Sequence, residues 1–126
     1  MSLAEYFGNT MGIGVLATAD GKGKVDAAMY ARPHVQDETN IAFIMSDKRS
    51  HKNLQTNPSA AYLFMEKGQG YTGKRLYLTK VREETDPAVI DTMRRKQRPD
   101  CPVEGEHKYL VFFRVDEIRP LTGSKA

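Results

Sequence analysis

The sequence predicts a mainly β protein, an antiparallel barrel with peripheral helices, and three observations lead there. Six segments combine strand-forming residues with period-2 alternation or short apolar runs: residues 13–19, 24–35, 41–45, 60–66, 74–82 and 108–119. Most successive strands are joined by turn-forming residues at hairpin length, not by helical crossovers. Only three stretches read as helix, and the chain has no internal repeat.

Each element has a local reason. Ser2-Leu3-Ala4-Glu5-Tyr6-Phe7 reads as a short helix in which Ser2 is the N-cap and Glu5, three residues on, completes a capping box. Gly8-Asn9 ends it. The strand at 13–19 stops at Asp20-Gly21-Lys22-Gly23, a strong hairpin signal. The return strand at 24–35 sets Val25, Ala27, Met29 and Ala31 on one face and Asp26, Ala28, Tyr30 and Arg32 on the other. Its alanines leave room for a flat group against the sheet, and Pro33 marks an edge or a bend.

A polar turn at 36–40 leads into the strand of Ile41, Phe43, Ile44 and Met45. This strand turns through Ser46 and Asp47 and reaches helical-looking Asn53-Leu54-Gln55, before Asn57-Pro58 breaks the chain. The strand at 60–66 is apolar on both faces, 67–73 is a glycine-rich loop, and 74–82 alternates as a fifth strand. Thr85-Asp86-Pro87 announces a helix over 88–97, with Val89, Ile90 and Met93 on one face and Arg94, Arg95 and Lys96 at its C-terminal end. Residues 98–107 read as a loop, 108–119 as the last strand, and 120–126 as a tail.

Composition narrows the class. A chain of 126 residues makes one domain with a real core. No apolar run reaches the length of a membrane span, and the first residues lack the pattern of a signal peptide. The lone Cys101 rules out an internal disulfide and fits a reducing cytoplasm. A net charge of +3 is too mild, without a dominant basic stripe, to imply nucleic acid.

The most informative stretch is 41–58, where Lys48, Arg49, Ser50, His51 and Lys52 stand together between a strand and a helix. Cations at a helix N-terminus cost roughly 0.3–1 kcal/mol each, while the free N–H groups and the dipole there favour an anion. Crowding them there points to a phosphate seat. A solvated turn in a lysine-rich chain is the plainer reading of the same residues. Other motifs carry less. Gly68-Gln69-Gly70-Tyr71-Thr72-Gly73 matches G-x-G-x-x-G but leads into a strand, and a dinucleotide site needs a helix there. Arg75 stands where a Walker motif needs Ser or Thr, so the segment is expected to be a hairpin loop. His34, His51 and His107 are scattered without metal-ligand spacing, and His34 and His107 are expected at the surface. Cys101 has no histidine at a fixed spacing and reads as a loop thiol. The cluster Arg94 to Arg98 reads as a solvated face.

Taken in order, Ala17-Thr18-Ala19-Asp20-Gly21, Asp26-Ala27-Ala28-Met29-Tyr30, Ser46-Asp47-Lys48-Arg49-Ser50-His51-Lys52-Asn53-Leu54 and Asn57-Pro58-Ser59-Ala60-Ala61 resemble the pyridoxamine 5′-phosphate oxidase-like family in its small single-domain form. The resemblance covers residues 10–82 and, loosely, the final strand. It implies a six-stranded antiparallel split β-barrel that forms a homodimer and binds FMN at the subunit interface. It further implies that Ala27, Ala28, Met29 and Tyr30 run along the isoalloxazine and that Ser46 lies near the ribityl chain. Arg49 and Ser50, with Lys48 or Lys52, would take the phosphate, and Lys74 would reach it from the fifth strand.

Two departures limit the likeness. Ala28 stands where the oxidases have a basic residue, and the chain has no Trp, so their C-terminal flavin contact is missing. Oxidation of pyridoxamine phosphate is therefore not implied. The expectation is a cytoplasmic FMN oxidoreductase or electron carrier acting on a small redox substrate or electron-transfer partner, with no nucleic acid and no membrane. Tyr30 is the one weak acid–base candidate, and packing is its better-supported role. The alternative is a non-catalytic module for another anionic ligand: haem, a deazaflavin cofactor or nucleic acid.

Overall fold

The computed structural model describes residues 2–68, 70–97 and 108–122, with the backbone alone at 94–97. The expected 98–107 loop, Cys101, His107 and the side chains of the Arg94–Arg98 cluster lie outside the described residues. The elements are α1 (Leu3–Asn9), β1 (Gly12–Ala19), β2 (Val25–Met29), β3 (His34–Asp37), β4 (Asn40–Ser46), α2 (Arg49–Thr56), β5 (Ser59–Glu66), β6 (Gly73–Glu84), α3 (Pro87–Gln97) and β7 (Lys108–Pro120).

The described strands number seven where six were expected, because the return strand divides into β2 and β3. Pro33 has no N–H to give a ladder, and the chain leaves strand structure between Tyr30 and Pro33. A second correction concerns α2, which begins at Arg49 with Lys48 as N-cap. The cationic stretch is therefore the first turn of the helix itself, not a turn preceding it.

All strand pairs are antiparallel, in the order β2-β1-β5-β6-β7-β4-β3. The two sheet edges, β2 and β3, are consecutive in the chain and do not pair with each other. The sheet is thus rolled but not closed, and the split lies where the chain crosses from one edge to the other. The long strands β6 and β7 bend at two bulges, between Tyr77 and Leu78 and between Lys80 and Arg82.

The inward faces build one core from Leu16, Phe43, Tyr62, Phe64, Leu76, Leu78, Val111 and Phe113. Helix α1 adds Leu3, Tyr6 and Phe7, and its capping box forms as the sequence predicts. The second face of β4 and β7 is also apolar, and Ile90 of α3 covers Ala42, Leu110 and Phe112 there. Gly68 and Gly70, in the loop after β5, have φ of 138° and 85°, and the loop joins β5 to β6 as a hairpin.

At the split, the Tyr62 hydroxyl donates toward the carbonyls of Tyr30 (3.2 Å) and Ala31 (3.0 Å). Gly14 makes this possible: a Cβ there would collide with the Tyr62 ring and hydroxyl and come within 2.7 Å of the Tyr30 carbonyl. Gly14→Ala is expected to destabilise the fold by about 1–3 kcal/mol through overpacking. Gly8→Ala, in α1 with open space around it, should instead be neutral or stabilising by about 0.5–1 kcal/mol. Thermal melts of the two variants check the pair, and equal effects would contradict the packing argument.

Candidate functional site

The expected site residues fall into two groups in the fold. Ala27, Ala28 and Met29 lie on β2, an edge of the sheet. Tyr30 N donates to Gly14 O at 3.0 Å and Asp20 N to Lys24 O at 2.9 Å, which sets the alternation of the β1–β2 ladder. Even-numbered residues of β2 exchange bonds with β1, so the peptide groups of Ala27 and Met29 face the open edge. The side chains of Ala27 and Met29 are exposed, while Ala28 is half-buried. Tyr30 turns inward, edge-on to Phe43 with ring centroids 5.8 Å apart. Burial pushes its hydroxyl pKa up, against a hydrogen bond with Ser50.

The second group is the N-terminal turn of α2. It has no side-chain cap and no acidic residue in its first turn. Lys48, Arg49 and Lys52 are exposed, and among the described residues they form no ion pair. Ser50 is different, at 4% exposure and turned in toward Tyr30. It links the helix to the strand break. Ser46 ends β4, and its Oγ accepts from Lys108 Nζ at 2.7 Å.

Lys108 is a residue that sequence reasoning missed. It opens β7 far along the chain, and only the register Ser46↔Lys108 reveals it. Lys74 does not join this group within the chain. Its ammonium lies 4.8 Å from the centre of the Tyr6 ring, beside α1, and Tyr6 donates to Glu66 at 2.7 Å. Its strand position pairs with Phe64, whereas α2 docks on the β1–β2 hairpin. There Asn53 Nδ2 donates to Thr18 Oγ1 at 3.0 Å, and Gly21 N to Thr56 Oγ1 at 3.1 Å.

A polar cluster around the buried His51 backs α2 from the other side, and it leaves no signal in the sequence. His51, only 7% exposed, stacks on Tyr109 with centroids 3.8 Å apart. Its Nδ1 lies 3.1 Å from Asp47 Oδ1 and its Nε2 2.9 Å from Glu83 Oε1. Gln55 Nε2 and Lys80 Nζ each approach the same Glu83 oxygen at 2.6 Å. Burial alone would push the Glu83 carboxyl up, but the bonds from Lys80, Gln55 and His51 outweigh it and bring its pKa down to about 2. His34, expected at the surface, is half-buried, and burial pushes its pKa down. Among the described residues, no group of His, Cys, Asp or Glu could hold a metal ion, and no helix is long and apolar enough to cross a membrane.

The sequence matches no protein-family model, and no curated protein matches it significantly. Solved structures do match. An FMN-binding protein from Syntrophomonas wolfei superposes with a TM-score of 0.78 at 14% identity, over 98% of this chain and 86% of that one. HupZ of Group A Streptococcus gives 0.73 at 17%, over 96% and 92%. A Lactobacillus delbrueckii protein provisionally assigned as a pyridoxamine 5′-phosphate oxidase gives 0.65 at 18%, over 93% and 89%. At these identities the likeness is one of fold. The chain has the split-barrel fold, distantly related in structure to the pyridoxamine 5′-phosphate oxidase-like proteins.

The Glu83 cluster makes a pH prediction. A carboxyl held near 2 when folded and near about 4.3 when unfolded stabilises the fold fully above the unfolded value and loses that contribution as pH falls through the folded one. The stability of the parent chain is expected to hold from neutrality to about pH 5 and to lose on the order of 2 kcal/mol from this group by about pH 2. Denaturant melts of the parent and of Glu83→Gln across that range should converge at the acid end; a constant difference would contradict the assignment.

Proposed function

We propose that this chain is an FMN-binding flavoprotein, an oxidoreductase or electron carrier in which two copies of the split barrel enclose the flavin. The observation that carries the reading is the first turn of α2: uncapped, without an acid, and bearing Lys48, Arg49 and Lys52 exposed. An anion there would relieve repulsion, accept backbone N–H bonds and meet the positive end of the helix dipole. The phosphate of FMN fits that donor set. Ser46 and Lys108 stand beside the turn for the ribityl chain, and the open peptide groups of Ala27 and Met29 suit the polar edge of a flat ring. Bound FMN supplies the hydride or electron chemistry, and the protein's part is to orient it and set its surroundings.

The fold of an FMN-binding protein supports this reading, and so does the surface around β2. Met29 and Leu63 both pair with Val15, forming an apolar row across β2, β1 and β5. Met29 and Leu63 of that row, with neighbouring Ile13, are 39–66% exposed on the outer face. A second copy covering that row would exclude water from the ring edge. Oxidation of pyridoxamine phosphate is not part of the proposal, since Ala28 supplies no base or cation at the strand and Tyr30 is committed to packing. A small redox substrate or an electron-transfer partner is the expected reactant. A non-catalytic module for another phosphorylated ligand would share the α2 seat, and a visible spectrum separates the two. Flavin bands that remain after FMN addition and desalting support the proposal, and a chain that retains none of it overturns the flavin reading.

Two substitution experiments extend that test. Removing the exposed cations in Lys48→Ala with Arg49→Ala is expected to weaken FMN binding by roughly tenfold or more without lowering the melting temperature. Unchanged affinity would put the phosphate elsewhere. Met29→Asp with Leu63→Asp should turn a dimer into a monomer in sedimentation, and a parent chain that is already monomeric would remove the second copy from the site.

A further inference from the structure

A helix of eight residues, short enough to be marginal alone, carries its cations at the unfavourable end. Its C-terminal half is fixed by Leu54 in the core and by the bonds of Asn53 and Thr56 to the β1–β2 hairpin. Its N-terminal half, which presents the cations, needs a support of its own. Ser50 reaches Tyr30 on one side, and on the other the anchor is His51.

The partner that meets His51 is produced by an irregularity. Lys80 and Glu83 are three residues apart, an odd spacing that would send them to opposite faces of a regular strand. The register shift between Lys80 and Arg82 inserts Val81 as an extra residue and restores them to one side. Glu83 Oε1 thereby receives Lys80, Gln55 and His51 together, at 2.6, 2.6 and 2.9 Å. Asp47 closes the other ring nitrogen of His51, and Tyr109 lies flat against the ring. Every polar direction open to the imidazole is thus occupied by a group from β6, from the turn before α2, or from α2 itself.

We infer that Glu83 is a positioning residue for the anion seat: through His51 it fixes the first turn of α2 at the angle at which Lys48, Arg49 and the free N–H groups converge on a phosphate. The inference rests on the phosphate seat proposed above. Glu83 does not touch the ligand. Removing its charge frees His51 and lets the turn rotate, so what is lost is the advantage of a phosphorylated ligand over its unphosphorylated form, while contacts to the flavin ring remain.

The experiment compares FMN with riboflavin as probes by fluorescence titration. The parent chain is expected to prefer FMN. In Glu83→Gln that preference should fall by roughly tenfold or more, the scale of one charge-assisted contact, with riboflavin affinity little changed. General loosening would weaken both ligands alike, so an unchanged ratio in a folded variant overturns the inference. His51→Gln breaks the same link from the helix side and should give the same result. The unaltered chain supplies a check independent of variant folding: FMN, but not riboflavin, should shift the His51 ring signals in NMR spectra. Equal or absent shifts would overturn the positioning role. A parent chain that holds FMN no better than riboflavin would instead overturn the phosphate seat itself, and the inference with it.

Discussion

Where a sheet stops, its last peptide groups still need hydrogen-bond partners, and much of this molecule follows from how that need is met at Tyr30 and Ala31. One tyrosine hydroxyl, Tyr62, reaches both carbonyls from across the barrel, and Gly14 keeps the passage open for it. Tyr30 is half-buried, and a carbonyl left unpaired away from water costs about 1–3 kcal/mol, so this reach helps to stabilise the break between β2 and β3. With the break fixed, β2 ends as an edge strand, Tyr30 points into the core, and Ser50 can bind it. The seat on α2 and the open edge of β2 are held beside one another by this arrangement.

The polar groups near the seat divide by burial. Lys48, Arg49 and Lys52 are exposed and can meet an anion, whereas Ser50, His51 and Asn53 are buried and fasten the helix. Alternation of exposed and fastened residues over one and a half turns is what a short helix needs when its end must stay fixed under electrostatic strain. The Glu83 carboxylate keeps its charge at a partly buried position because three donors converge on it.

Most of the architecture was legible in the residues. The capping box at Ser2 and Glu5, the Asp20-Gly21 hairpin and the Pro87 helix start are local signals with local causes, and each formed where expected. The division of the return strand was half-legible: Pro33 announced a bend, but whether a bend ends a strand depends on Tyr62, far along the chain. The start of α2 is not legible because its N-cap is Lys48, which is not a capping type, while Ser46 and Asp47 just before it read as a turn. The cationic character of the seat was readable as composition. The Lys108–Ser46 contact and the Glu83 cluster were not, since both depend on strand register and on a bulge that leaves no mark in an alternating sequence.

The position of β7 has a kinetic meaning. In the sheet it lies between β6 and β4, bonded to both along most of its length, although it comes last in the chain among the described strands. Until residues 108–120 have left the ribosome, the sheet consists of two pieces, β2-β1-β5-β6 and β4-β3, each with an unsatisfied inner edge. Folding therefore waits on contacts between distant parts of the chain, a topology that folds over milliseconds to seconds and not microseconds. The nascent chain is most exposed to mispairing in the interval between synthesis of β6 and arrival of β7.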